Sequence, residues 1–332
     1  MPLLMTRYDL RRPNFSQATR SELYQTAIDQ VEWADRHNFL AVVVSEHHSA
    51  EDGYLPSSRV MAGAFAARTK NIQIHLSALI APLHDPVRLA EDLAVLSLMS
   101  NGRIVPIISA GYREEEFVAI GKSLSDRKAY MDMIMPFLRQ AFTGEPFEYL
   151  GQEIVVTPKP DTMPMLVMGG STKVAARRAA RDADYFIPAV PEVFEEYRAE
   201  LKRLGKPDMG ASAKQPSTCY FAADDPDAFW DELAPHAMHE QNSYAEWAEK
   251  SDVPSPYSFY SDKNTLRDSG KYTVLTAEQM IDQFNTMHKN EPLIMSPLVG
   301  GLSPSTSWHS LHTFEHKVFP FIGESGTGVF KD

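Results

Sequence analysis

Three ionisable residues in a row, Glu46-His47-His48, follow the apolar run Val42-Val43-Val44 and Ser45. A carboxylate beside two imidazoles can exchange protons near neutral pH, where an unperturbed imidazole titrates. Adjacent side chains on an extended backbone point to opposite faces, so one imidazole faces a site and the other its surroundings. A metal centre is the competing chemistry, with His47, His48, His75 and His84 as donors from neighbouring strand ends. No short ligand motif links them, and no metal is expected. The segment Met168-Gly169-Gly170-Ser171-Thr172 reads as a strand that opens through two glycines into a helix. Glycines let a ligand approach the backbone, and the unpaired N–H groups of a helix start suit an anion. An ordinary N-cap with a flexible turn has the same sequence signature. In Ser109-Ala110-Gly111-Tyr112-Arg113, Gly111 permits a tight turn and Arg113 offers positive charge to a phosphate. The run Glu114-Glu115-Glu116 behind it is an acidic helix start favoured by the helix dipole. Within His84 to Asp92 the structural reading leads, because Arg88 and Glu91 or Asp92 lie at helical neighbour spacing.

These residues need elements to hold them. Strand patterns fall at 3–8, 42–45, 72–80, 104–109, 165–168, 184–188, 218–222 and 293–297, and helical patterns follow most of them. This alternation of strand-then-helix units predicts an α/β fold, a closed (β/α)8 TIM barrel rather than an open sheet, with residues 1–332 forming one domain. Such barrels carry their chemistry at the C-terminal ends of the strands, where all three segments fall. Between residues 224 and 271, after the seventh strand, the pattern weakens, and Trp230, Trp247, Tyr257, Phe259 and Tyr260 sit among Ser, Asp and Pro. The functional reading is an insertion forming a lid over the barrel mouth; the plain one is a surface excursion.

Composition excludes several classes. A formal net charge of −12 argues against a phosphate-backbone binder, so no nucleic acid is expected, and against adsorption to an anionic membrane. The single Cys219 rules out an intrachain disulfide and a multi-cysteine zinc site, and suits a reducing cytoplasm. No stretch reaches the length of a spanning helix, and no signal peptide is apparent.

In this order the pieces resemble the bacterial luciferase-like superfamily of flavin-dependent oxidoreductases. The resemblance rests on Ser45-Glu46-His47-His48, Ala67-Arg68-Thr69, Pro82 to Asp92, Ser100-Asn101-Gly102-Arg103, Gly111-Tyr112 with Glu116-Phe117, and Gly169-Gly170-Ser171. It implies a TIM barrel with an insertion after the seventh strand and a flavin at its C-terminal mouth. Ser77, Ala78, Ala110, Gly111, Tyr112, Arg113 and Gly169 would line the flavin site. Gly170, Ser171 and Thr172 would lie near the flavin phosphate. The resemblance gives His47, supported by Glu46, the catalytic position, and Ser77–Ala78 a non-prolyl cis peptide bond. This chain has Ala110 where luciferases place an Arg for the phosphate, and Ser109 where they carry a reactive Cys. The function implied is a monooxygenase using reduced FMN and O2 on a small organic substrate. No dinucleotide fingerprint is present, so a separate flavin reductase would supply the cofactor. The alternatives are hydride transfer with a deazaflavin coenzyme and a flavin-binding protein without turnover. The resemblance also implies a homodimer.

Overall fold

A computed structural model describes residues 2–208, 218–288 and 291–322. Its strands, in chain order, are β1 (Leu3–Tyr8), β2 (Ala41–Val44), β3 (Gln73–Ile80), β4 (Ile104–Ser109), β5 (Phe147–Tyr149), β6 (Gln152–Ile154), β7 (Val167–Gly170), β8 (Tyr185–Pro188), β9 (Cys219–Ala222), β10 (Tyr272–Leu275) and β11 (Pro292–Met295). β5 and β6 form a separate antiparallel pair. The other nine make one parallel sheet in the order β10-β9-β11-β1-β2-β3-β4-β7-β8.

Alternation along the strands creates two environments. Leu4, Thr6 and Tyr8 of β1 are buried, while Leu3, Met5 and Arg7 line a central cavity. In β2, Val42 and Val44 are buried, and Val43 lines the cavity with Ser45 beyond it. The buried set packs with the helices in one core: Val42, Ile74 and Met168 from strands join Leu23, Val31 and Leu93 from helices. Each such side chain contributes roughly 1.5–3 kcal/mol on burial. The helices start where the sequence supplies caps. Asp85 accepts from the N–H groups of Val87 and Arg88, both at 3.0 Å, to open helix Pro86–Ser100 with Pro86 in its first turn.

The observed fold departs from the expected barrel in two places. The sheet has nine strands rather than eight, because Tyr272–Leu275 pairs with β9 in register Tyr272↔Cys219. Among the described residues no ladder joins β8 to β10, so hydrogen bonding leaves one seam in the ring. The second departure is in residues 224–271, which hold the 25-residue helix Pro226–Lys250 and the short helix Lys263–Asp268. Its buried positions Phe229, Leu233, Ala237, Gln241, Tyr244 and Ala248 keep helical spacing. Pro235 and the buried Glu240 and Gln241 obscure that pattern in the sequence. Trp230 packs in a second core with Phe221 and Cys219 of β9, far from a lid role, and Phe259 is exposed. Among the described residues no helix is long and apolar enough to cross a membrane.

Candidate active site

β2 ends at Val44, and the chain turns at Ser45 to carry Glu46, His47 and His48. His47 lines the cavity and is 7% exposed; His48 turns away from it. The His47 Nδ1–H donates to Glu116 Oε1 at 2.8 Å. A carboxylate only accepts, so the proton sits on Nδ1 and the Nε2 lone pair is left available. The same Oε1 accepts the His48 backbone N–H and Arg113 Nη1, each at 3.0 Å. Glu116 is fully buried on helix Glu114–Ala119, the acidic start expected to be solvated. Burial pushes the His47 imidazole below its usual value, and Glu116 opposes that push. Around its ring stand Tyr54 at 4.8 Å, Trp247 at 5.0 Å, Tyr244 at 5.6 Å and Tyr112 at 6.0 Å between centroids.

Glu46 differs from the expected catalytic partner. Its Oε1 accepts from His48 Nε2 at 2.7 Å and His84 Nε2 at 2.8 Å, and its Oε2 from the Ile80 N–H at 3.3 Å. Burial raises its pKa and the two imidazoles lower it further, leaving the carboxyl at about 2. An anion so fixed is poorly suited to moving protons near pH 7. His84 is oriented in turn by Arg59, which donates to its Nδ1 at 2.9 Å and pairs with Asp92 at 2.6 Å. The histidines considered as metal ligands thus converge on two different carboxylates, while His75 contacts Gln73 and is driven by burial to about 4. Arg88 pairs with Glu91, as its helical spacing indicated.

β3 and β4 lie between β2 and β7 in the sheet. The Ser77–Ala78 peptide bond on β3 is cis, and both residues line the cavity. Ser45 Oγ donates to the Ser77 carbonyl at 2.5 Å, joining β2 to that bond. Ala110, Gly111 and Tyr112 line the next stretch. Gly111 has φ +67°, and a Cβ there would sit 2.6 Å from Ile80 Cγ2, so the turn needs glycine. Gly169 and Gly170 are the last residues of β7 rather than a turn, because the strand runs two residues later than its pattern suggested. A Cβ on Gly170 would lie 2.4 Å from Ala175 Cβ. The glycine therefore lets helix Lys173–Asp182 start tight against the strand. Thr172 caps that helix by accepting the Ala175 N–H at 3.2 Å. Gly169, Gly170, Ser171 and Thr172 all border the same cavity as His47.

Arg113 does not join them. Its guanidinium is bonded to Glu116 and the His48 carbonyl and stacks 4.0 Å over Trp247, and it does not line the cavity. Its place in a phosphate site is corrected: buried beside Glu116, it neutralises that carboxylate. The cations lining this side are Arg127, Lys128 and Arg178, which sequence reading missed. Arg127 and Lys128 open helix Arg127–Ala141, and Arg178 sits one helical turn past Val174. Nothing in their local pattern separates them from surface charges; only the barrel brings them to Gly170. A helix start, the hydroxyls of Ser171 and Thr172 and three cations fit the phosphate of a flavin, with Arg127 also bonded to the Gly111 carbonyl at 2.7 Å and Arg178 to Asp132 at 2.9 Å. The cavity measures about 1800 Å³ and continues along the strands to Gln73 and Pro292. Pockets for a single small ligand occupy roughly 300–1,000 Å³, so cofactor and substrate fit together.

Tyr244 and Tyr257, from residues 224–271, line the wall. Tyr244 stacks on Tyr257 at 4.1 Å, and its hydroxyl meets that of Tyr54 at 2.7 Å. The Trp247 indole lies between two guanidinium groups, Arg113 at 4.0 Å and Arg11 at 4.7 Å.

Comparison with known proteins agrees with this geometry. The chain is 27% identical over 139 residues to the oxygenase component of a flavin-dependent trigonelline monooxygenase from Acinetobacter baylyi, covering 41% of this chain and 38% of that protein. It is 28% identical over 203 residues to an F420-dependent glucose-6-phosphate dehydrogenase from Amycolatopsis mediterranei, covering 56% and 60%. The matches thus span less than two thirds of either relative. The fold matches the oxygenating constituent of 3,6-diketocamphane monooxygenase from Pseudomonas putida, solved with FMN, at a TM-score of 0.69 and 16% identity over 96% of this chain and 98% of that one. The sequence profile of the luciferase-like monooxygenases matches residues 10–290, and the chain belongs to that family.

Proposed function

We propose that the chain is the oxygenase of a two-component monooxygenase, taking reduced FMN from a separate reductase and acting on a small organic substrate. The observation that carries this reading is the shared cavity: His47, Ser77, Ala78 and the end of β7 with Ser171 and Thr172 all border it. Reduced flavin supplies the two electrons with which O2 is split, one atom entering the substrate and the other leaving as water. The chain's own residues do the rest. Helix Lys173–Asp182 and the cations Arg127, Lys128 and Arg178 hold the phosphate. His47 accepts and returns a proton at Nε2 while Glu116 fixes its Nδ1–H. Glu46 positions the turn that carries His47. Tyr112, Tyr244 and Trp247, with the helix Pro226–Lys250 acting as a lid, keep water from the reacting atoms.

Oxygen uptake coupled to product formation, measured with reduced FMN and with a reduced deazaflavin, tests the reading. Turnover should require FMN. His47→Ala should lower kcat by about 10²–10⁴, the usual scale for losing a proton-transfer group, with FMN affinity unchanged. Turnover with the deazaflavin and no oxygen uptake would move the chain to hydride transfer; its Amycolatopsis relative is named an F420-dependent dehydrogenase.

A further inference from the structure

The cavity carries more positive charge than a cofactor phosphate accounts for. The whole chain has a formal charge of −12. Yet among the described residues six Lys or Arg side chains line the cavity against three carboxylates, those of Glu46, Asp184 and Glu291, although Arg178 is paired with Asp132 and Arg7 with Glu240 behind the wall. Three of them, Arg127, Lys128 and Arg178, are those assigned above to the phosphate. Arg103 is bound to backbone carbonyls, among them Ser100 and Ile72 at 2.7 Å each. The remaining two, Arg7 and Lys271, stand on the side of β1 and β10, away from β7 in the sheet order.

Arg7 and Lys271 belong to one hydrogen-bonded cluster. Arg7 Nη2 donates to Glu240 Oε1 at 2.5 Å, and the Tyr272 hydroxyl donates to the other oxygen of Glu240. Gln241 Nε2 donates to that hydroxyl at 3.0 Å, and Lys271 Nζ donates to Gln241 Oε1 at 3.2 Å and to the Pro256 carbonyl at 2.7 Å. The Tyr257 phenol lies against the Arg7 guanidinium. Glu240 is 1% exposed and does not line the cavity, and Asp9 lies behind it, bonded to the N–H groups of Gly300 and Arg11. Two cations and one carboxylate leave this cluster one positive charge in excess, and the charged groups it turns toward the cavity, Arg7 and Lys271, are both cations, set among the neutral Gln241, Tyr257 and Tyr272. Lys271 meets only neutral oxygens there. Both cations are part-buried on the cavity wall, where the attraction for an anion is stronger than in open water.

Deepening the oxygenase reading, and resting on it for the word substrate, we propose that Arg7 and Lys271 form a subsite for a monoanionic organic acid. Its carboxylate is held at this cluster and its planar body lies along the Tyr244–Tyr257 stack toward His47. The excess of one charge matches a carboxylate. Tyr257 is common to both parts, stacking on Tyr244 at 4.1 Å and touching Arg7. A ligand spanning them has its charged end at the cluster and its far end beside the His47 ring, 5.6 Å from Tyr244.

Calorimetric titration with benzoate and with its neutral isostere benzamide, each with and without saturating FMN, tests the subsite. Benzoate should bind at least about tenfold tighter, the scale of a hydrogen bond to a charged group. Lys271→Met should remove most of that preference and leave benzamide affinity unchanged. Arg7→Met alone leaves Glu240 buried without its partner, so the second variant is Arg7→Met/Glu240→Gln, which removes the pair together and should also lose the preference. Equal affinities in the parent chain, no binding of either probe, or a preference that survives in both variants overturns the proposal. The FMN titration is read separately. Discrimination without FMN binding overturns the oxygenase reading and keeps the anion subsite; FMN binding without discrimination overturns the subsite alone.

Discussion

Replacing Glu46 with glutamine keeps the shape of the side chain and removes its charge, which isolates the work of that carboxylate. In the structure it is 1% exposed and takes hydrogen bonds from His48, His84 and the Ile80 N–H. Its pKa is lowered from 4.5 to about 2. A group whose folded pKa is depressed stabilises the fold above its unfolded pKa, and the contribution fades as pH falls through the folded value. At about 1.4 kcal/mol per pKa unit, Glu46 contributes about 3 kcal/mol at pH 7 and about 1 kcal/mol at pH 3. Urea denaturation followed by circular dichroism, at pH 7, 5 and 3, should therefore show Glu46→Gln less stable by about 3 kcal/mol at the first two pH values and by about 1 kcal/mol at the last. The variant should retain residual turnover where it is folded, since Glu46 positions the His47 turn without transferring the proton. A difference below about 1 kcal/mol at pH 7, or one that does not shrink on acidification, refutes the ion-pair account. Complete loss of turnover in a fully folded variant refutes the positioning role.

Three further outcomes are expected. Glu116→Gln removes the carboxylate that holds the His47 imidazole up against burial, so the acid limb of the kcat/KM profile should move to lower pH, and kcat should fall; an unchanged limb would separate His47 from catalysis. Gly170→Ala places a Cβ 2.4 Å from Ala175 Cβ, so calorimetry should show a loss of about 1–3 kcal/mol in stability, with weaker FMN binding by equilibrium dialysis. Trp247→Ala removes an indole packed between Arg11 and Arg113, at 4.7 and 4.0 Å, and the thermal transition should report a loss of about 3 kcal/mol or more.

The sequence and the structure agree best where local chemistry decides. β1 and β4 fall at their expected boundaries, because an apolar run bounded by turn residues has few other options. His47 and His48 do part as expected, one to the cavity and one away from it, but beyond the end of β2, so their separate carboxylates and not strand alternation hold them apart. The cis Ser77–Ala78 bond came from resemblance and is present. Local pattern was silent where tertiary contact decides. Glu116 looks like one of three solvated acids until β2 delivers His47 to it. Arg113 looks like a phosphate ligand until the same carboxylate claims it. Arg127, Lys128 and Arg178 carry no local mark of their place in the cavity. Helix Pro226–Lys250 was hidden by Pro235 and by polar residues on its buried face, Glu240 and Gln241, whose partners Arg7 and Tyr272 lie far away in sequence.

The placement of Trp247 has an optical consequence. Of the four tryptophans, Trp33 is tied to Glu315, Trp230 lies in the second core and Trp308 stacks on His312. Trp247 alone of the four lies near the C-terminal end of helix Pro226–Lys250 with its ring 5.0 Å from the His47 imidazole. Two guanidinium groups, Arg113 at 4.0 Å and Arg11 at 4.7 Å, set a strong local field on the excited indole, which changes with any shift of either. The chain thus carries a native fluorophore at the point where closure meets chemistry, and its emission can follow opening of the mouth without any added label.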